Sequence, residues 1–252
     1  MTGVLEAAAV FAAGVAAGTI NTVVGSGTLV TFPVLLSVGL SPLTANVTNT
    51  LGLVPGSFVG AWGARDTLVG RRDFVLRLAT ASVLGALAGA VLLLALPPGA
   101  FKAVVPVLVA LALVLVVAGP AINRRVAGRG ERDDGRPRSA LWAGVLGSGV
   151  YGGYFGAAQG VLMMGLLGAL HGGEMQQNNA VKNVLTGVVN SVAAVVFVVV
   201  ARPAWWAVAL VAAGSTVGGF VGARIGRRLS PKVLRALIVV VGVVAIVKLL
   251  LG

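Results

Sequence analysis

The chain has 252 residues, of which 58% are hydrophobic and only 10% charged, with a mean hydropathy of +1.00. Soluble chains carry about 25% charged residues, so an ordinary soluble domain is excluded, and the lack of cysteine removes disulfide frameworks, thiolate metal sites and cysteine nucleophiles. One histidine and seven acids leave little material for a metal centre or proton-relay enzyme, and the net charge of +12 has to be weighed against the positive-inside rule before nucleic acid is invoked.

Breaking the chain at charges, prolines and glycines predicts ten apolar segments. The N-terminus lacks a basic n-region, so the first segment, 4–24, reads as a membrane segment and not as a cleaved signal. Next come 28–40, 43–63, 74–95 and 100–120, then 140–157, 159–171, 175–200, 204–223 and 233–251. Segments 28–40 and 159–171 are too short, because a helix of about 13 residues covers about 20 Å of a hydrocarbon layer about 30 Å thick. Each follows a glycine-rich break, Gly25-Ser26-Gly27-Thr28 or Gly152-Gly153-Tyr154-Phe155-Gly156. Each pair, first with second and sixth with seventh, therefore reads as a broken hairpin. Non-helical backbone at membrane depth is tolerated only inside protein or against a water-filled cavity, so the breaks are expected to face a shared hollow. Depending on how the hairpins are counted, the chain has eight or ten segments.

Most of the 19 Lys and Arg residues lie in three clusters. Arg65, Arg71, Arg72 and Arg77 follow the third segment. Arg124, Arg125, Arg129, Arg132, Arg136 and Arg138 follow the fifth, and Arg224, Arg227, Arg228, Lys232 and Arg235 follow the ninth. Placing these loops in the cytoplasm of a bacterial inner membrane puts both termini outside. The polar run 123–139 then divides a first membrane repeat, 1–122, from a second, 140–252. Val47, Asn49, Leu51, Val54 and Ser57 match Val181, Asn183, Leu185, Val188 and Ser191 at an offset of 134, and Ser82, Gly85, Gly89, Ala90 and Pro98 match Ser215, Gly218, Gly222, Ala223 and Pro231 at 133. The halves enter from opposite sides. The predicted fold is all-α: a polytopic membrane helix bundle of two inverted-topology repeats, each with a broken half-helix hairpin, the pattern of secondary transporters.

Gly25, Ser26, Gly27 and Thr28 open a short helix, where backbone N–H groups, hydroxyls and the positive helix end bind anions. Gly156, Gln159 and Gly160 offer the same at the second break, beside Tyr151 and Tyr154. The bland alternative is that the glycines only permit close packing, the better reading for Gly14/Gly18, Gly56/Gly60, Gly85/Gly89 and Gly218/Gly222. Asn46, Thr48, Asn49 and Thr50 begin the third segment; Gln176, Gln177, Asn178, Asn179, Lys182 and Asn183 begin the eighth. Asn46/Asn49/Thr50 and Asn179/Asn183 share helix faces, and neutral amides can hold an oxyanion without the cost of a permanently buried charge. Their alternative is interhelical hydrogen bonding that holds the bundle. Lys182 is an intramembrane cation and marks a pathway or counter-charge, unless its stem reaches the interface. His171 and Glu174 read as a solvated turn, with proton coupling as the competing role, and Trp205 and Trp206 as an interfacial belt. Hydrolase elbows, zinc helices, Walker loops and dinucleotide fingerprints are absent from the sequence.

The run Gly18-Thr19-Ile20-Asn21-Thr22-Val23-Val24-Gly25-Ser26-Gly27, followed by Phe32-Pro33 and Ala45-Asn46-Val47-Thr48-Asn49, resembles the TauE/SafE family of sulfite and organosulfonate exporters. Tyr151-Gly152-Gly153-Tyr154-Phe155-Gly156 and Asn179-Ala180-Val181-Lys182-Asn183 extend the resemblance to the second half. It implies an inner-membrane permease that exports small anions, sulfur oxyanions or sulfonates, and a pathway lined by the first break with Asn21 and by the polar helix starts, Thr48 included. Two departures stand out. Ser26 and Thr28 flank Gly27 where the family runs on in glycine, and Ala157-Ala158-Gln159 replaces glycines at the second break.

The function expected is secondary transport of a small anion, with the repeats rocking against each other, and not catalysis. A passive anion channel and a membrane-embedded assembly subunit are the alternatives. No cofactor and no metal site are expected. The expected partners are the anion and the lipid bilayer, not nucleic acid, and a homo-oligomer is compatible with the sequence.

Overall fold

The computed structural model describes residues 2–126, 138–226, 228 and 230–251. All ten expected segments are helical: α1 (Thr2–Val23), α2 (Thr28–Ser37), α3 (Pro42–Trp62), α4 (Arg72–Ala95), α5 (Pro98–Val126), α6 (Arg138–Tyr154), α7 (Gln159–Leu170), α8 (Met175–Val200), α9 (Trp205–Ile225) and α10 (Pro231–Leu251). A 3-10 turn, Arg65–Leu68, precedes α4, and there is no strand among the described residues.

Most boundaries follow local chemistry. Ser41 caps α3 by accepting the Thr44 N–H at 3.3 Å, and Pro42 takes the first helical position, where its missing N–H costs nothing. α4 stops ahead of Pro97 and Pro98, and α8 ahead of Pro203. α5 departs from expectation: it does not end near 120 but continues through Pro106 and Pro120 to Val126. A proline removes one N–H and crowds the preceding turn, which membrane helices tolerate where neighbouring groups re-satisfy the freed carbonyl. Of the expected linker 123–139, residues 127–137, with Arg129, Arg132 and Arg136, lie outside the described residues, as does Arg227.

Five described helical stretches are long and apolar enough to cross a membrane: Gly3–Val23, Arg72–Ala95, Gly99–Ile122, Met175–Val200 and Trp205–Ile225. Their outer faces carry Val91, Val114, Val117, Val199 and Phe220, all exposed. That surface suits hydrocarbon and not water, so the protein is membrane-embedded. α2 and α7, with 10 and 12 residues, cover only about 15 and 18 Å. α1, with 22 residues, is long enough to cross alone, and α6, with 17, covers about 26 Å.

Packing joins helices from opposite halves. α1 and α3 lie against α9, and α4 lies against α6 and α8; α3 and α8 meet between the two groups. α2 contacts α10, and α7 contacts α5. The crossings are backbone-close. A Cβ added at Gly18 would sit 2.3 Å from the Ser215 carbonyl oxygen, and one at Gly218 2.1 Å from that of Val15. Between α4 and α6, a Cβ at Gly85 would sit 2.3 Å from the Leu146 oxygen and one at Gly153 2.4 Å from that of Ala86. Small residues let the backbones approach, and van der Waals contact supplies the attraction that hydrocarbon solvent does not. Since each half contributes to both groups, the halves interlock, and the expected rocking of one against the other does not correspond to a seam in the packing.

Candidate functional site

Both interruptions end their first helix by the same turn. At the first, the N–H groups of Val24 and Gly25 both bond to the Ile20 oxygen, at 2.7 and 2.9 Å, and Gly25 turns at φ 89°. At the second, the N–H groups of Phe155 and Gly156 bond to the Tyr151 oxygen at 2.9 and 3.0 Å, and Gly156 turns at φ 76°. Left-handed backbone suits glycine, which has no Cβ to collide with the following carbonyl. Ala158 also takes this conformation, at φ 59°, and is the one non-glycine among the described residues to do so.

The two interruptions touch. The Gly160 N–H donates to the Gly25 oxygen at 2.9 Å, and a Cβ on Gly25 would fall 2.5 Å from the Gly160 Cα. The expected shared hollow is therefore replaced by direct backbone contact. Backbone hydrogen bonds also close the turn that follows each break. Leu29 N–H bonds to Ser26 O at 3.2 Å, Gln159 N–H to Gly156 O at 3.2 Å and Val161 N–H to Ala158 O at 3.0 Å, each closing a tight first turn. Phe155 is wedged between Phe32 of α2, at a centroid distance of 5.3 Å, and Phe101 of α5, at 6.3 Å, which seals the second interruption with aromatic edges.

What remains unsatisfied is side-chain chemistry. Ser26 and Gln159 are 1% and 3% exposed, yet Ser26 Oγ and Gln159 Nε2 have no hydrogen-bond partner, and neither has Asn46 Oδ1. Buried orphan polar atoms carry a free-energy penalty unless a ligand or water meets them.

Amides of α3 and α8 surround the breaks. Asn49 braces α2: its Nδ2 donates to Thr28 Oγ1 at 3.1 Å, and its Oδ1 accepts from Thr31 Oγ1. Asn46 Nδ2 donates to the Tyr154 oxygen at 3.0 Å and so holds the end of α6. On α8, Asn179 and Asn183 donate to the Thr22 oxygen at 3.2 and 3.4 Å. Lys182, 0% exposed, donates from Nζ to the Asn21 oxygen at 3.0 Å and to the Thr22 oxygen at 3.3 Å. It does not reach the interface. The carbonyls that end α1 form the negative pole of that helix, so an ammonium is favourably placed there. Asn21 Nδ2 reaches Ser57 Oγ at 3.4 Å, as does Asn190 Nδ2 from α8.

Thr48, expected among the site residues, accepts the Ala204 N–H at 3.0 Å and so ties α3 to the start of α9. Thr31, Ser57 and Asn190 are additions to the expected residues. Their signal was the i, i+3, i+4, i+7 continuation of the polar stripes on α2, α3 and α8. His171 sits away from the breaks, with its ring stacked on Phe74 at 4.3 Å and Nε2 3.0 Å from Arg71 Nη1. Glu174, Trp205 and Trp206 are exposed. Two apolar clefts, of about 300 and 330 Å³, lie between α5 and α7 and among α4, α5 and α6; neither is lined by Ser26, Gln159 or Lys182.

Helices of spanning length, two helix interruptions in contact at the centre and polar side chains converging on them define a polytopic membrane protein with a buried polar pathway candidate. A family profile described as "Sulfite exporter TauE/SafE" matches residues 10–249, and the chain belongs to this family of membrane transporters. It is 30% identical over 241 residues, covering 93% of this chain and 86% of the relative, to the "Probable membrane transporter protein YfcA" of Escherichia coli K12. It is 26% identical over 237 residues, 92% of this chain and 90% of the relative, to the "Probable membrane transporter protein" of Haemophilus influenzae. No solved structure matches the chain.

Proposed function

We propose that the chain is a secondary transporter that exports a small anion, a sulfur oxyanion or sulfonate, across a bacterial inner membrane. The observation that carries this reading is the pair of orphan side chains, Ser26 and Gln159, one at each interruption, together with a fully buried Lys182 whose Nζ lies on the carbonyls that end α1. The first turns of α2 and α7 add the positive ends of two helices. The name of the family profile supports the sulfur chemistry and the outward direction.

Ser26, Thr28 and Gln159, with the backbone at Gly25, Gly27 and Gly156, contact the anion in this reading. Lys182 supplies charge. Asn21, Asn49, Asn179 and Asn183 hold the helix ends in position. The chain consists of two repeats of opposite orientation, 1–122 and 140–252, joined by the basic linker 123–139, with basic loops cytoplasmic and both termini outside. Equivalent turns at Gly25 and Gly156, and the α1–α9 packing mirrored by α6–α4, support the repeat. The contact between Gly25 and Gly160 is then the closed state of the pathway, and access alternates as it parts.

The test is reconstitution into liposomes with radiolabelled sulfite, methanesulfonate and sulfate. Saturable flux with counterflow is expected, and Ser26→Ala with Gln159→Leu should reduce it by about tenfold or more. Failure of every anion to move through well-folded protein would overturn the reading, and flux that rises without saturation would point to a channel.

A further inference from the structure

The charge balance at the interruptions carries a statement about which anions can enter. Lys182 is the only charged side chain that is buried among the described residues. The four described acids, Glu6, Asp66, Asp73 and Glu174, are all exposed, so no carboxylate neutralises it within the described interior. Four helix ends also converge here. The C-terminal ends of α1 and α6 carry partial negative charge and the N-terminal ends of α2 and α7 partial positive charge, each about half a unit. Two poles of each sign offset one another, which leaves the single charge of the ammonium.

We propose that the site is balanced for one negative charge, so that it carries singly charged oxyanions and rejects doubly charged ones of similar shape, with Lys182 as the residue that sets this selectivity. The proposal rests on the reading of the interruptions as an anion pathway. A monoanion brought beside Lys182 leaves the region neutral. A dianion leaves a net negative charge among Phe32, Phe101 and Phe155, all fully buried apolar rings, and an uncompensated charge in such surroundings is strongly disfavoured. Ser26 and Gln159 are neutral and can donate hydrogen bonds to either anion, so they do not discriminate by charge. Lys182 spends two of its three protons on the Asn21 and Thr22 oxygens, and those partners orient Nζ at the end of α1 next to the first interruption.

The experiment measures uptake of methanesulfonate, sulfamate and sulfate into liposomes holding the full chain. The first two carry one charge and differ in polarity; sulfate carries two. Both monoanions should outpace sulfate by about tenfold or more. Lys182→Gln should lower monoanion flux and abolish the ratio, and Lys182→Arg should keep the ratio. If sulfate moves as fast as the monoanions, this proposal fails while the pathway reading stands. If none of the three moves, this proposal fails, and if sulfite does not move either, the pathway reading fails with it. A preference for methanesulfonate over sulfamate and sulfate alike would trace selectivity to the methyl group and also overturn the proposal. Should Lys182→Gln not fold, the parent ratios and the arginine variant still decide.

Discussion

At the first interruption the carbonyls that end α1 accept hydrogen bonds from an ammonium and two amides of α8, whereas at the second the Tyr154 carbonyl accepts one from Asn46 of α3. The backbone turns are otherwise alike, each closing on a glycine with positive φ. The same bend is thus held by a charged, several-fold brace on one side and by neutral donors, one to each carbonyl, on the other. Redundant donors share the task of satisfying one helix end, so a single loss is cushioned there. The second interruption depends on the Asn46 amide, on the Tyr151 hydroxyl, which donates to the Ala157 oxygen at 2.5 Å, and on the aromatic wedge at Phe155.

This contrast can be broken most forcefully at the point where the two sides meet. Gly25→Ala adds a Cβ 2.5 Å from Gly160 and forces alanine into left-handed backbone, and should cost about 2–4 kcal/mol. Gly156→Ala meets only the Gly152 oxygen, at 3.1 Å, and should cost about 1–2 kcal/mol, mainly from φ. Thermal unfolding in detergent measures both; equal losses would mean that the contact between interruptions is not the tighter constraint. Asn46→Leu removes the donor to Tyr154 and should destabilise by about 1–3 kcal/mol, against less than about 1 kcal/mol for Asn179→Leu, whose acceptor keeps two other donors. A larger loss for Asn179→Leu would refute the difference in redundancy. Thr48→Val leaves the Ala204 N–H without its acceptor and should lower stability by about 1 kcal/mol, seen as an earlier midpoint in the same melt. Ala158→Gly relieves left-handed strain at the second interruption and should raise stability by about 0.5–1 kcal/mol, part of the relief being offset by a freer unfolded chain. A drop in the melting midpoint would show that the Ala158 methyl group is worth more in packing than it costs in strain.

The helices were legible because glycine and proline punctuate long apolar runs, and because a short run cannot cross the hydrocarbon layer. α5 was misjudged at its end for the converse reason, since Pro120 reads as a stop but the membrane environment lets the helix pass through it. The amide stripes were visible in the spacing of Asn46 and Asn49 and of Asn179 and Asn183. Their partners were not, because Asn46 with Tyr154, and Lys182 with Asn21, join residues far apart in the chain. The same limit hid the role of Thr48, whose acceptor is used by a distant helix start. That the Gly160 N–H would donate to the Gly25 carbonyl could not be inferred from either stretch alone.

The close crossings of α1 on α9 and of α4 on α6 bear on how the protein is made. When the ribosome has synthesised only the first half, the grooved face of α1 at Gly18 has no partner, and α9 is among the last helices to emerge. Early helices must therefore wait in the lipid, unpaired, until the late ones are inserted. Cutting the chain at the linker and co-expressing the two fragments should still yield an assembled protein, while either fragment alone should be left for membrane proteases.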